Sequence, residues 1–396
     1  MTDSRRDQSD QDTVPPAAEK AYAPLTDLTV IDCCWLLPGL FAAQILGDLG
    51  ARILKIEHPD GDYARDIGPF GYAAVNRGKE GLTLNLKQEG ADEVLRRLVA
   101  RADVFIEGFR PGVMARLGGS WDELKAVRPE LVYCSISGFG QDGQRRARAE
   151  HGLNYASLAG MQSRAGRSTT LTPVLADLAG SLYAVIAILA ALKRTGRGQF
   201  IDLSITDAVY GLMSEMLAGD DLLAHGSDDA GAGAFGVFEA RGGDLMSVGA
   251  VEDVFWRALC VAVGHPEWPD RTGWGVYEER RQQAREIRSA LEEVFALRPR
   301  TEWLHVLGAA GVPAEAVNDL AEATVDPLAV ERGLVSWVDQ PGLGKVAHVR
   351  FPALFSDSDP APAGRAPEIG EHSDAILAEL GFSPAQVQDL KRRDVV

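Results

Sequence analysis

"LTVIDCCWLLPGLFAAQILGDLGARILKIEHP", residues 28–59, decides the fold. Residues 28–34 form an apolar run of strand length, and Pro38-Gly39 makes a turn after it. Ile45, Leu46 and Leu49 then share one helical face, Gly50 stops the helix, and residues 53–57 read as a second strand. A strand, a helix and another strand in so short a span imply parallel strands joined by a right-handed crossover.

The pattern continues outward. "GLTLNL" (81–86) is a strand, "ADEVLRRLVARA" (91–102) a helix and "DVFIEGF" (103–109) a strand. "SWDELKAVRP" (120–129) is a helix and "LVYCSIS" (131–137) a strand. Such alternation predicts a doubly wound, Rossmann-like α/β domain whose ligands bind beyond the carboxyl ends of the strands. After Asp207 the texture changes. "AHGSDDAGAGAFG" (224–236) is a loop, "GVFEARGGDLMSVGA" (236–250) is a strand pair turning at "RGGD", and helical stretches follow to Leu334. The expected organisation is a disordered tail over 1–22, a large α/β domain over 23–210, a linker and small α+β domain over 211–335, and a return to the large domain over 336–396. That return runs through the Pro-rich connector "FSDSDPAPAGRAPEIGEH" (355–372) to a capped terminal helix in "SDAILAELG" (373–381).

Composition narrows the function. The 396 residues carry 57 acids against 40 bases, a formal charge of -17, which argues against nucleic acid or an anionic membrane surface as partner. The polar start, "MTDSRRDQSDQDTVPPAAEK", has no apolar signal core. "LYAVIAILAAL" from Leu182 reads as too short to span a bilayer. Cys33, Cys34, Cys134 and Cys260 form no CxxC pair, so buried free thiols, a cytoplasmic location and no metal site are expected. "GFGQDG" (138–143) matches GxGxxG and follows a strand, but "QRRARAEHG" after it has no apolar stripe and no ribose-binding acid lies about twenty residues on. NAD binding is not expected there.

Few residues are left to do chemistry. His151, ahead of the helix-like "GLNYASLAG", is either a helix-entry residue or a proton-transfer group, with Tyr155 one turn further on. Asp177 reads as the N-cap of a long apolar helix or as a carboxylate held against a substrate, and the two roles are compatible. Glu252, at a turn after a strand, reads as an exposed helix-cap acid. Arg110 and Arg116, just past a sheet strand, are phosphate ligands or solvated loop charges.

With these stretches in hand, the chain resembles the family III CoA-transferase superfamily (CaiB/BaiF type), and within it most the α-methylacyl-CoA racemases. The segments that carry the resemblance are, in order, "AAQILGDLGARILKIE", "NRGKEGLTLNLK", "ADVFIEGFRPGVMARLG", "LVYCSISGFGQDG", "KRTGRGQFIDLSITDA" and "GEHSDAILAELGFS". The transferases resemble one another in using an aspartate nucleophile, which falls on Asp177. The racemases share it and add a histidine and a glutamate, matched here by "HGLNY" (His151) and "VGAVE" (Glu252). The resemblance thus implies an acyl-CoA racemase acting by proton transfer through an enolate, with a CoA-transferase acting through Asp177 as the alternative. In the first case His151, oriented by Glu252, serves one face of the α-carbon. Asp177, held by Tyr155, serves the other, and backbone amides after His151 face the enolate oxygen.

By the same resemblance Leu36, His58, Leu86, Gly108, Phe109, Arg110 and Arg116 contact the CoA moiety, which enters as part of the substrate, and no prosthetic group is needed. It further implies an interlocked homodimer with shared active sites, Glu252 coming from the partner chain. The chain departs from the family pattern in several places, among them "LLPGLF" (36–41), a variant of the usual turn, and two positions beside His151. Gly152 stands where the racemases usually carry aspartate, which suggests a wider pocket or a lost interaction, and "GQRRARAE" (143–150) replaces a proline-bearing loop.

Overall fold

The structure, a computed structural model, describes residues 23–358 and 364–396 apart from 166, 169, 170, 195 and 219–231. The expected tail over 1–22, much of the loop over 224–236 and part of the Pro-rich connector lie outside the described residues. The chain divides into two compact units. The first takes in the described residues of Met1–Ala159, Thr169–Gly211 and Val335–Val396, and the second those of Gly160–Ser168 and Leu212–Leu334.

The first unit is built on six parallel strands: β1 (Thr29–Cys33), β2 (Arg52–Glu57), β3 (Glu80–Thr83), β4 (Val104–Glu107), β5 (Val132–Ser137) and β6 (Gln199–Ser204). Their spatial order is β3-β2-β1-β4-β5-β6. The chain winds outward from β1 in one direction and from β4 in the other, so the order reverses between them. A parallel sheet covered on both faces needs strands apolar on both sides, and "VFIE" and "VYCSIS" are buried along their whole length. Pro38-Gly39, expected as a turn, instead lies in the first turn of the helix α1 (Leu37–Asp48), where the proline's missing N–H costs nothing. The helix α2 (Ala91–Val99) buries Val94, Leu95, Leu98 and Val99 among Leu54, Leu82 and Phe105 of the sheet.

Buried charges pin the turn after β1. The Asp32 carboxylate accepts from the Cys34 amide at 3.1 Å and from Lys79 Nζ at 2.7 Å. Lys55 Nζ donates to the Cys34 carbonyl and, at 3.1 Å, to Asp62. All four cysteines are free and buried, as expected. The "GFGQDG" segment is an irregular loop closed by the Asp202 carboxylate, which accepts from the Gln141 amide at 3.1 and 3.0 Å. No sheet-packed helix opens from it.

Three expectations are corrected here. Asp177 does not cap a helix: α3 (Thr172–Leu192) begins five residues earlier, with Pro173 in its first turn, and Asp177 sits inside it. The same helix is 21 residues long, so the run from Leu182 belongs to one helix long and apolar enough, by those two measures, to cross a membrane. It packs against α1, β5 and β6. Finally, Ser373 is not a cap. Its helix, Ser373–Glu379, has His372 before it, and Ser373 Oγ accepts instead from the Thr83 amide at 3.2 Å, tying the C-terminal return to β3. The last helix is Pro384–Arg392, where Ser383 and Gln386 form a capping box. The return also holds an antiparallel hairpin, β10 (Val335–Gln340) with β11 (Gly344–Val349), that the polar sequence did not announce.

In the second unit β7 (Phe235–Glu239), β8 (Leu245–Gly249) and β9 (Ala314–Ala316) form an antiparallel sheet in that order, and "RGGD" makes the expected hairpin turn. Its core gathers Phe238, Trp256, Trp268, Trp274, Phe295 and Trp303.

Candidate active site

Two cavities open at the carboxyl ends of the first unit's strands, where the sheet order reverses. One, of about 280 Å³, is lined among others by Leu36, Gly108, Phe109, Arg110, His151 and Tyr155. The other, of about 320 Å³, is lined among others by Trp35, His58, Leu86, Lys87, Phe109 and Arg116. Every residue expected to contact CoA therefore lines one cavity or the other, and Phe109 lines both. Trp35 meets the Phe109 ring edge-on at 5.5 Å between centroids.

Phe109 is held by a residue that pattern reading passed over. Glu107 ends β4 nearly buried, and one of its carboxylate oxygens accepts from the Phe109 amide at 2.7 Å. Burial pushes its carboxyl up to about 7, against hydrogen bonds from Ser135 and the Phe109 amide that favour the ionised form. Gln141 Nε2 donates to Ser135 Oγ at 2.8 Å, so the loop after β5 joins the same network. The available signal was an acid at the end of an otherwise apolar central strand.

His151 immediately precedes the short helix αS (Gly152–Leu158). Its backbone amide donates to Asn154 Oδ1 at 3.0 Å, its carbonyl accepts from the Asn154 and Tyr155 amides at 2.8 and 3.3 Å, and its side chain is exposed on the cavity. The amides of Asn154 and Tyr155 are thus already committed to the helix.

Gly152 decides how αS meets α3. A Cβ built on it would lie 2.3 Å from the Pro173 carbonyl oxygen and 2.9 Å from its carbon. The missing side chain therefore does not widen the pocket: the Pro173 backbone fills that space, and glycine permits close contact between the two helix starts. Asp177 lies one turn beyond Pro173, on the same face of α3. Burial pushes its carboxyl up to about 6. Burial, with the negative charges of Asp177 and Glu150, likewise pushes the Tyr155 phenol up to about 12. The expected Tyr155–Asp177 hydrogen bond is replaced by another: the Tyr155 hydroxyl donates to the Glu150 carbonyl at 2.7 Å. Gly138 leaves room for this, since a Cβ there would lie 2.4 Å from the hydroxyl.

Glu252 belongs to the second unit. It immediately precedes the helix Asp253–Ala262, at the expected cap position, with its side chain exposed and making no cap hydrogen bond. Its flanks are gripped by Arg280, a fully buried side chain that donates to the Val251 carbonyl at 2.6 Å and to Asp253 Oδ1 at 2.6 Å. Arg280 lies near the Trp256 ring, which explains how a guanidinium is accommodated in this aromatic core.

A doubly wound sheet whose carboxyl edge carries two adjoining cavities marks the first unit as a ligand-binding α/β domain. Residues 25–373 match the family described as CoA-transferase family III, and the chain belongs to it. Similar proteins include acetyl-CoA:oxalate CoA-transferase of Acetobacter aceti, 32% identical over 93% of this chain and 98% of that one. The human alpha-methylacyl-CoA racemase is 31% identical over 94% of this chain and 97% of its own length. A CAIB/BAIF family protein from Brucella suis superposes with a TM-score of 0.79 at 32% identity, covering 90% of this chain and 99% of that one.

Proposed function

We propose that the protein is a racemase or epimerase that inverts the α-carbon of a 2-methylacyl-CoA, or other 2-substituted acyl-CoA, by 1,1-proton transfer through an enolate. One observation carries this reading: a histidine on the cavity wall stands at the start of a helix packed directly on the one that carries a near-neutral carboxyl. A thioester acidifies its α-hydrogen, and inversion needs a base on one face and an acid on the other. His151 takes the proton from one face while Asp177 delivers one to the opposite face; the reverse reaction exchanges the roles. A carboxyl near 6 is suited to both, because it holds or releases a proton close to neutrality. Tyr155 stays protonated throughout the physiological range and walls the cavity.

In this reading the CoA nucleotide occupies the cavity of His58, Leu86 and Arg116, and its pantetheine arm crosses Phe109 and Arg110 to His151. CoA is part of the substrate, no prosthetic group takes part, and the chain works in the cytoplasm as a homodimer whose partner supplies Glu252 to orient His151. The alternative is a family III CoA-transferase, in which the Asp177 carboxylate attacks the thioester carbonyl and expels the CoA thiolate, leaving an acyl anhydride. Relatives that are CoA-transferases, at an identity similar to that of the racemase, support it.

Incubating one enantiomer of a 2-methylacyl-CoA with the protein in deuterium oxide tests the choice. Uptake of one deuterium with loss of enantiomeric excess is expected, and both should vanish in His151→Ala. Absence of exchange across several acyl chains, with CoA transfer surviving in His151→Ala, would establish the transferase instead.

A further inference from the structure

We propose that Lys55, a fully buried lysine behind the two cavities, is a positioning residue for thioester binding: it holds the Cys34 carbonyl and through it sets Trp35 in the wall of the larger cavity. The inference rests on the reading of these cavities as the place where CoA lies, and adds the residue that shapes one wall of them from behind.

Lys55 sits in the middle of β2, with no exposed surface. Burial opposes its charge, but the carboxylates of Asp32, Asp62 and Glu57 outweigh burial and keep the ammonium protonated. A buried charge of this kind adds little to stability, because its desolvation offsets the attraction and an apolar side chain of similar length would fill the same space. What the ammonium adds is a donor. Nζ donates to Asp62 Oδ2 at 3.1 Å and to the Cys34 carbonyl. The peptide on the other side of Cys34 is fixed as well. Asp32 accepts from its amide, and Lys79 joins Asp32 to the Leu40 carbonyl of α1 at 2.7 and 3.0 Å. Gly39 packs so closely on Cys34 Sγ that no Cβ would fit between them, so the Cys34 side chain is trapped too.

The chain leaves this clamp directly into Trp35. The residue is 39% exposed, lines the cavity of His58 and Arg116, and meets the Phe109 ring edge-on. Phe109 in turn has its amide held by Glu107. Both rings that face the cavity are thus aimed by buried ionisable side chains acting on the main chain. A half-exposed ring on a free backbone samples many positions, whereas one whose preceding carbonyl is fixed is preorganised, and binding then loses less conformational freedom.

The test is titration calorimetry of the full chain with free CoA, at a temperature well below the melts of all variants. Lys55→Met keeps the length of the side chain but cannot donate, and CoA affinity should fall roughly ten-fold, the worth of one hydrogen bond to a charged group. Trp35→Ala should weaken binding as well. Lys55→Met/Trp35→Ala should bind no more weakly than the weaker single variant, since a clamp that acts through Trp35 then has nothing left to aim. In turnover, KM should rise as affinity falls while kcat changes less, because the clamp holds neither His151 nor Asp177. Full affinity in folded Lys55→Met or in Trp35→Ala would overturn the proposal. So would losses that multiply in the double variant, the mark of a general structural role. If Lys55→Met does not fold, Asp62→Asn decides: it leaves the lysine in place and removes the charge that anchors it, so a loss of CoA affinity supports the clamp and full affinity overturns it. Failure of the unsubstituted protein to bind CoA would instead defeat the reading of the cavities, and the proposal with it.

Discussion

Gly152→Ala is the sharpest test of the site's construction. The added Cβ meets backbone atoms of Pro173, at 2.3, 2.9 and 3.0 Å, and backbone cannot rotate away as a side-chain tip can. The shortest of these falls more than 1 Å below an ordinary contact of roughly 3.5 Å. The helices that carry His151 and Asp177 must therefore separate by about that amount. Overpacking of this kind costs about 1–3 kcal/mol, which in a unit of this size lowers Tm by roughly 2–12 °C. A displacement of about 1 Å between reacting groups costs roughly a hundred-fold in turnover. The assay is turnover of α-proton exchange or of CoA transfer, with a thermal melt on the same samples. Activity should fall much further than the population unfolded at the assay temperature explains. Full activity with an unchanged Tm would refute the close-contact argument. Gly152→Asp, which introduces the residue that racemases usually carry at this position, should be worse than alanine here, because it adds a buried charge to the same collision.

The acids of the site carry further expectations. A carboxyl whose pKa is higher in the folded than in the unfolded chain favours the native state below its unfolded pKa and loses that contribution as pH rises through the folded value. Asp177, near 6, therefore makes the protein less stable at pH 7.5 than at pH 4, by at most on the order of 3 kcal/mol. Asp177→Asn should raise Tm at pH 7.5 but not at pH 4 while abolishing activity, as melts at the two pH values would show. Glu107→Gln can still accept the Phe109 amide and should keep most acyl-CoA affinity. Glu107→Ala leaves that part-buried amide without its carboxylate, and should raise KM while costing about 1 kcal/mol in a denaturant melt. Arg280→Ala releases the Val251 carbonyl and Asp253 on either side of Glu252, and should lower both kcat and Tm. Arg280→Lys should restore stability better than kcat, since a single ammonium cannot reproduce the fork.

Much of the architecture was written locally. "LTVIDCCWLLPGLFAAQILGDLGARILKIEHP" contains its own strand, proline-started helix, glycine stop and second strand, and periodicity and turn chemistry act over a few residues at a time. The cavity walls were also legible, because residues that follow parallel strands must reach the same edge of the sheet. The sequence likewise marked His151, Asp177 and Glu252, though as residue types matched to a pattern. Packing decided what each of them is. Asp177 read as a cap, whereas the helix begins at Thr172 with Pro173 in its first turn and carries Asp177 into its body. Gly152 read as spare room, yet the Pro173 carbonyl of another helix occupies that space. Tyr155 gives its hydrogen bond to the Glu150 carbonyl, a partner that only the folded backbone supplies. The raised pKa values of Asp177 and Glu107 are consequences of burial, and burial is a property of the assembled chain rather than of any short stretch of it.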